Sequence, residues 1–272
     1  MRLGKYKSDK ECFMSLINKL TAKLSSKSNA SAAPILLPET AFSREQHAAR
    51  NTQFSQTYHA YTNPQQAFEF CRTQADEGVV MALYLLALQY EQGDGQQTYL
   101  SQALSCYQRA ADCGHPESLF NLALLHLQGQ SQGQLGKPNA VLAFSYFEQA
   151  AKQGLVQAQY NLASMLDQGS GCFQDQTAAF DWYNKAAEQG YTQAWQNIAV
   201  MYYRGEGVEA DKLKAYAWTL LAAKAGVDEA IAAEPEMTQA LNTTEILVGK
   251  AQFDHLQQGF LAYLPIETRF EG

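Results

Sequence analysis

The sequence has no long apolar run. No stretch approaches the roughly 18 consecutive apolar residues that a membrane-spanning helix needs. The segment that follows Met1 alternates lysines with polar residues and lacks the apolar core of about 7–15 residues that a signal peptide contains. These two absences predict a chain without a transmembrane helix or a signal peptide, and therefore a cytoplasmic protein.

Cysteine is scarce and unpaired. The five cysteines are an odd number without a Cys-x-x-Cys pair, and the five histidines form neither an HExxH motif nor an i,i+4 pair. Cys106, Cys113, His115 and His126 are close in sequence, but the gap between the two cysteines is too long for the short Cys-x₂₋₄-Cys pairs of structural zinc sites. The pattern predicts reduced thiols that pack in the interior, with no metal and no cofactor.

Charged residues make up only 17% of the chain and are unevenly distributed. Residues 1–29 contain seven basic and two acidic residues, a net charge of +5, so the remaining chain carries −12 of the total of −7. An acidic body binds nucleic acid poorly, because that affinity comes mainly from neutralising phosphates with lysine and arginine. We therefore expect no nucleic-acid partner. The 46% of apolar residues is enough to bury a core.

One motif, Ala-Ala-x-x-Gly or close to it, recurs along the chain. Its glycines are 36, 40, 36 and 36 residues apart, and four extra residues in the loop of residues 129–139 account for the longer interval. The five glycines are Gly78, Gly114, Gly154, Gly190 and Gly226. Glycine just past the end of a helix adopts the left-handed conformation without a Cβ penalty, so each motif predicts a helix end.

A second motif keeps the same register. Each glycine is followed four positions later by a small residue: Ala82, Ser118, Ala158, Ala194 and Ala230. The second helix of each repeat carries an aromatic residue at Tyr107, Phe147 and Tyr183, whereas the fourth copy has Thr219 there, beside the bulky Trp218. Small residues let two helix backbones approach closely, and the aromatic residues fill the space between repeats. The pattern predicts paired helices whose stacked neighbours bury the core.

These motifs combine into the consensus A-x-x-N-L-A…Y-x-x-G-x-G…A-x-x-W-Y-x-x-A-A-x-x-G, which resembles the Sel1-like repeat, a relative of the tetratricopeptide repeat. The resemblance covers roughly residues 63–230 and is closest at 158–163 and 182–190. It implies an all-α fold, a right-handed α/α superhelical solenoid of helix-turn-helix repeats. It also implies a non-enzymatic adaptor or scaffold that binds a protein or peptide on the concave face of the solenoid.

The repeat register predicts four regions. They are a basic N-terminal segment with a linker (1–33), helices leading into the solenoid (34–78), the repeats (79–230, at about 79–114, 115–154, 155–190 and 191–226), and a C-terminal capping helix with a tail (231–272). Within the last region, Asn242 and Glu245 have the spacing of a capping box, which predicts a helix start. Asn63, followed by proline, predicts another.

Residues 10–27 have the pattern of a basic amphipathic helix, with five apolar residues on one face and four lysines off it. Such a helix binds an anionic membrane surface or a partner protein. Packing on the solenoid and a loose chain end are the other interpretations. Peripheral membrane contact through this segment is therefore one alternative to the adaptor, and a hydrolase of the secreted Sel1-like type is the second.

The sequence offers little support for the hydrolase. Residues 129–133 match the motif GxSxG, but a nucleophile elbow needs a strand before its serine, and this serine lies in a polar insertion between predicted helices. No nucleophile converges with a base elsewhere, so we predict that the chain is not an enzyme. The sequence indicates neither the identity of the partner nor the oligomeric state.

If the repeats stack like tetratricopeptide repeats, the first helices line the concave side. The faces that the core positions leave unused predict the partner-binding residues: Tyr84, Leu88, Phe120, Asn121, Leu124, Tyr160, Asn161, Gln196, Asn197, Val200 and Arg204. The asparagines recur in register, and amides bind an extended peptide backbone well. Exposed aromatic residues are enriched in interfaces. The alternative is that the asparagines tie adjacent helices together.

Overall fold

The computed structural model describes residues 44–61, 63–93, 99–129 and 137–265. These residues form helices joined by turns, and no strand occurs among them. The amphipathic segment predicted at residues 10–27 lies outside the described residues. None of the helices in the described ranges is both long enough and apolar enough to cross a membrane.

The chain divides into two compact units, residues 1–138 and 139–272. Unit 1 contains α1 (Arg44–Tyr58), α2 (Pro64–Asp76), α3 (Val80–Gln92), α4 (Leu100–Asp112) and α5 (Pro116–Leu127). Unit 2 contains α6 (Ala140–Lys152), α7 (Val156–Gln168), α8 (Gln176–Glu188), α9 (Thr192–Arg204), α10 (Lys212–Lys224), α11 (Asp228–Gln239), α12 (Thr243–Phe260) and a 3₁₀ turn (Leu261–Tyr263). Within each unit, most consecutive helices pack against each other, α1 also contacts α3, and α12 packs on α10.

The repeated glycines end the second helix of each repeat, as the spacing predicts. Gly114 has a φ of +79°, and Gly154 and Gly190 have similar values. The residue after each glycine donates its backbone N–H to a carbonyl in the last helical turn, for example from His115 to the Ala110 oxygen at 3.1 Å. This is the Schellman arrangement, in which the glycine occupies the left-handed position.

The core of each unit is built from the small and aromatic residues that recur in the sequence. The small residue of every first helix is completely buried, including Ala82, Ser118 and Ala158. Tyr107 in unit 1 and Tyr183 in unit 2 are buried on the second helices. Each buried aromatic side chain of this size contributes about 1.5–3 kcal/mol through the apolar surface that it removes from water.

The C-terminal helix α12 begins with the predicted capping box. The Asn242 side chain accepts hydrogen bonds from the Thr244 and Glu245 N–H groups, and Glu245 accepts one from the Asn242 N–H at 2.8 Å. Phe260 at the end of α12 packs on the core of unit 2. A further helix, α11, fills most of the interval between the last repeat and α12, where the four predicted regions contain no separate helix.

Candidate functional site

The predicted partner-binding residues lie on α3 and α5 in unit 1 and on α7 and α9 in unit 2. Most of them are half-buried: Tyr84, Asn121, Leu124, Tyr160, Asn161, Gln196, Asn197 and Val200. Arg204 is exposed, with 61% of its side chain accessible. The prediction therefore identified side chains with some accessible surface at nine of its eleven positions.

Leu88 and Phe120 are exceptions. Both are buried, with 8% of their surface accessible, so the expectation that they face an open groove is wrong. Leu88 lies on α3, which is contacted by α1, α2 and α4. These three helices cover more of the surface of α3 than the single partner helix of its own repeat would. Phe120 directly follows the buried Leu119 on α5, where it belongs to the core of unit 1.

The tyrosine of the first repeat is held by its neighbours. The ring of Tyr84 lies 4.8 Å from the ring of His115 and 6.2 Å from that of Tyr107, measured between centroids. Asn121 makes side-chain hydrogen bonds to both tyrosines. The Tyr107 hydroxyl donates to Glu91 Oε2 at 2.6 Å. Burial raises the pKa of Tyr84 to about 12, as expected for a packed phenol.

Unit 2 repeats this arrangement at the corresponding positions. Tyr160 lies 5.6 Å from Tyr183 and 4.8 Å from Tyr191, again between ring centroids. Asn197 on the following first helix makes a side-chain hydrogen bond to Tyr160. Asn161 donates instead to the Gln157 carbonyl oxygen of its own helix at 2.8 Å. The recurring asparagines thus tie adjacent helices together or bond within their helix, which is the structural alternative that the sequence left open.

The α9, α10 and α11 helices of unit 2 line an open, concave cavity of about 280 Å³. It is lined by Gln196, Ala199, Val200, Tyr203, Arg204, Lys212, Thr219, Ala233, Glu236, Met237, Ala240 and Leu241. Gln196, Val200 and Arg204 were predicted as partner-binding residues, so the structure brings these three together. Tyr203 at the same site is 54% exposed and was missed, because the helical face that we selected for α9 did not include it.

The sequence already contained a sign of this cavity. Thr219 replaces the aromatic residue of the other repeats, and we expected the neighbouring Trp218 to supply the missing bulk. The structure places the Trp218 ring 5.7 Å from the ring of Phe260 on α12, and Trp218 does not line the cavity. The space beside Thr219 therefore remains unfilled.

A second cavity, of about 380 Å³, lies between α1 and α2 in unit 1. Arg50 and Glu77 are among its lining residues, and they bind each other. The Arg50 guanidinium donates to the Glu77 carbonyl oxygen at 3.0 Å and lies 3.8 Å from the carboxylate. None of the predicted partner-binding residues lines this cavity, which has a more polar character than the one in unit 2.

One group of side chains has the composition of a catalytic triad. His115 Nδ1 lies 3.0 Å from Ser118 Oγ, and His115 Nε2 lies 3.4 Å from a carboxylate oxygen of Glu117. Ser118 is completely buried, so a substrate has no access to its hydroxyl. His115 is the N-cap of α5 and accepts the Ser118 N–H through Nδ1. This group therefore caps a helix.

The remaining candidate reactive groups are the cysteines, the possible metal ligands and the serine of the GxSxG match. Burial raises the pKa of Cys71 to about 12 and that of Cys106 to about 11, so both thiols are protonated at neutral pH. Within the described ranges, no group of three or more histidine, cysteine, aspartate or glutamate residues is arranged to hold a metal ion. The serine of the GxSxG match, Ser131, lies outside the described residues.

Four segments of the chain match the family model described as Sel1 repeat, at residues 80–115, 116–155, 156–191 and 196–227. Together these segments make up more than half of the 272 residues. No curated protein matches the chain at a significant level.

Two solved structures show the same repeat fold. A protective antigen of uropathogenic Escherichia coli with an SLR fold is 26% identical, with a TM-score of 0.64. The match covers 79% of this chain and 46% of that antigen, so the chain spans less than half of its length. A Sel1 repeat protein from Oxalobacter formigenes is 25% identical with a TM-score of 0.56, over 71% of this chain and 77% of that protein.

Proposed function

Because the chain belongs to the Sel1 repeat family, whose repeats generally mediate protein interactions, we propose that it is a non-catalytic adaptor for a protein or peptide partner. The observation that carries this proposal is the cavity of unit 2, where the predicted residues Gln196, Val200 and Arg204 meet. A concave, mainly apolar cavity with a few polar groups at its edge is the usual form of a binding site.

The surroundings of this cavity support protein binding in particular. Tyr203 is exposed beside it, and Arg204 is exposed at the end of the same helix. Tyrosine and arginine are the residues that most often dominate the binding energy of protein interfaces. The tyrosines and asparagines of the earlier repeats, by contrast, already have partners within the fold, so we place the main binding surface at the fourth repeat.

We further propose that the protein works in the cytoplasm. Cys71 and Cys106 are free and buried, and Cys113 and Cys172 are free as well. Unpaired thiols that serve as small apolar side chains are typical of a reducing compartment. Fractionation of the native cell, followed by detection of the untagged protein, tests this location. Recovery in a secreted or periplasmic fraction would contradict it.

Site-specific photo-crosslinking tests the adaptor function. A photoreactive benzoyl-phenylalanine replaces Tyr203 at the cavity in one full-length variant and the exposed Gln193 on the same helix in a control. We expect irradiation in the native cell to give a discrete crosslinked protein from position 203 and none from position 193. Equal crosslinking from both positions, or none from position 203, would reject the adaptor function at this surface.

A further inference from the structure

The cavity of unit 2 arises from a difference between the third and fourth repeats. A shift of 36 residues relates the two repeats, and it pairs Tyr160 with Gln196, Tyr183 with Thr219, and Asn197 with Ala233. In each pair the earlier residue is larger than the residue 36 positions later. The three later residues, Gln196 and Thr219 of the fourth repeat and Ala233 on α11, line the cavity. The same space that side chains fill one repeat earlier is therefore open in the fourth repeat.

The contacts of the third repeat show which packing the fourth repeat lacks. The rings of Tyr160 and Tyr183 lie 5.6 Å apart, and their hydroxyls are held by hydrogen bonds from Asn197 and Ser164 respectively. Unit 1 keeps the same pair, since Tyr84 and Tyr107 lie 6.2 Å apart. Protein interiors are close-packed, so a space where both members of a packing pair present in the first and third repeats are missing is an unusual vacancy.

The cavity also has an unsatisfied polar atom. Gln196 Oε1 is buried and has no hydrogen-bond partner among the described residues. A buried acceptor without a partner is costly, and binding of a donor would remove that cost. The Thr219 hydroxyl, in contrast, donates to the Met237 sulfur at 3.2 Å. The cavity thus offers one buried acceptor without a partner on a mainly apolar surface.

Charges at the edge indicate what lies next to the occupant. Arg204 and Lys212 are exposed at this edge, and Glu236 is the one carboxylate among the lining residues. Arg204 already lies 3.6 Å from a carboxylate oxygen of Glu206, so Lys212 is the lining cation that has no ion pair among the described residues. Complementary charge across an interface selects partners, so this edge favours an acidic residue on the bound segment.

We propose that this cavity binds an aromatic side chain of a partner polypeptide, in the place that the Tyr160 and Tyr183 rings occupy one repeat earlier. An acidic residue next to the aromatic one contacts Arg204 and Lys212, and a donor on the bound segment satisfies Gln196 Oε1. The inference rests on the proposed adaptor function, which it deepens by naming the recognised side chain. The exposed Tyr203 ring lies where it can contact the same segment.

A display library of short random peptides, selected on the full-length protein, tests the proposal. The Q196Y/T219Y variant fills the cavity with the aromatic pair that other repeats carry, and Q193Y places the same tyrosine on the exposed face of α9 as a control. Because these tyrosines restore the packing pair of this fold, we expect Q196Y/T219Y to keep the circular dichroism of the wild type and to unfold at an equal or higher temperature.

Selection on the wild type should enrich peptides with an aromatic residue beside aspartate or glutamate. These peptides should bind Q193Y as well as they bind the wild type, and Q196Y/T219Y at least about tenfold more weakly, the effect of losing one dominant contact. The charge variant R204E/K212E leaves the cavity interior intact. It should lose the preference for acidic peptides while it still binds the aromatic residue.

Three results would overturn the proposal. No enrichment, or enrichment of peptides without an aromatic residue, rejects the aromatic occupant. Enriched peptides that bind Q196Y/T219Y as tightly as the wild type reject the cavity but leave the adaptor function standing, because they still bind the protein. Peptides that bind Q193Y as weakly as Q196Y/T219Y would also reject the cavity as the specific binding site.

Discussion

At the scale of single residues, His115 stands out at a position where the other repeats have apolar or aromatic side chains. The corresponding residues are Val79, Leu155, Tyr191 and Val227. His115 is buried against Tyr84, and its Nδ1 accepts the Ser118 N–H as the cap of α5. Only a neutral imidazole can accept this bond, so the cap depends on the protonation state of the ring.

Burial lowers the pKa of His115 below its usual value, and the nearby Glu117 carboxylate opposes this effect. A lowered pKa in the folded state stabilises the protein fully above the unfolded-state pKa of about 6.5, and that contribution is lost as the pH falls through the folded-state pKa. We expect acidification below about pH 6.5 to destabilise the wild type more than H115V, which carries the valine of the equivalent positions.

Thermal unfolding of the wild type and H115V by circular dichroism, from neutral pH to about pH 5, measures this difference. E117Q serves as a second variant. Removing its carboxylate should lower the pKa of His115 further and make the acid sensitivity of unfolding larger. Parallel pH profiles for the wild type and H115V would show that other groups cause the acid sensitivity.

The cysteines should differ in reactivity according to their burial. Burial raises the pKa values of Cys71 and Cys106, and both side chains are almost inaccessible, whereas Cys113 is exposed. We expect iodoacetamide at neutral pH to modify Cys113 in the native protein while Cys71 and Cys106 react only after denaturation. Peptide mass spectrometry of the two samples reads this out. Rapid native labelling of Cys71 would mean that unit 1 opens readily.

At the scale of secondary structure, the turns after α7 and α9 dock on the start of the second helix of the preceding repeat, which is α6 for the first turn and α8 for the second. A Cβ at Gly171 would collide with the Ala140 carbonyl oxygen, and a Cβ at Gly207 would collide with the Gln176 carbonyl oxygen. Both glycines also have positive φ values, +76° and +71°. These turns therefore require glycine for two independent reasons, close approach and backbone conformation.

The G171A and G154A variants separate the effect of close approach from the effect of backbone conformation. Gly154 has a φ of +91° but nothing within 4 Å of an added Cβ, so G154A should lose only about 1–2 kcal/mol from the left-handed conformation. G171A adds the collision with α6, and we expect a further loss of about 1–3 kcal/mol. Urea unfolding followed by circular dichroism measures both. Equal losses would mean that the turn moves away from α6 at little cost.

Much of the fold was predictable at this scale. The all-α solenoid of Sel1-like repeats is confirmed, because glycine spacing, small residues and capping signals are local and independent of distant contacts. The Asn63 and Asn242 caps were read from the sequence in the same way. The α11 helix was not predicted, since Pro235 lies in its interior, where proline removes a helical hydrogen bond, and the packing of α11 on α10 is not visible in the sequence.

The site was predictable only in part. Gln196, Val200 and Arg204 were predicted to lie on an accessible face, because helical periodicity shows which face the core leaves unused; they line the cavity, and their role in partner binding stays a prediction. Leu88 and Phe120 were misplaced, because periodicity does not show how many neighbouring helices cover a face. The cavity itself was not predicted, because it results from small side chains on three different helices. It becomes visible once the structure shows that Trp218 turns toward Phe260.

At the scale of the whole molecule, the two units differ in their tryptophan content. All three tryptophans, Trp182, Trp195 and Trp218, lie in unit 2, whose core cluster is formed by residues of that unit. The stability of a repeat protein is approximately a sum of repeat and nearest-neighbour terms, so a local change need not affect every repeat equally. Tryptophan fluorescence should therefore follow unit 2, while circular dichroism follows both units.

The variants L83A in unit 1 and L162A in unit 2 test this separation. Both leucines are completely or almost completely buried, and each truncation should cost about 2–5 kcal/mol. We expect L83A to lower the urea midpoint seen by circular dichroism more than the midpoint seen by fluorescence. L162A should lower the fluorescence midpoint directly. Identical shifts by both probes in both variants would show that the chain unfolds as a single cooperative unit.

The position of the unit 2 cavity at the last repeat has an evolutionary consequence. Repeat proteins lengthen by tandem duplication, and a duplicated third repeat would bring its own tyrosine pair and asparagine. Each inserted copy would therefore close its own interior, and the opening would stay with the terminal copy. If the cavity binds an aromatic side chain as proposed, descendants of this gene that gain copies of the third repeat would keep a stoichiometry of one aromatic ligand per chain.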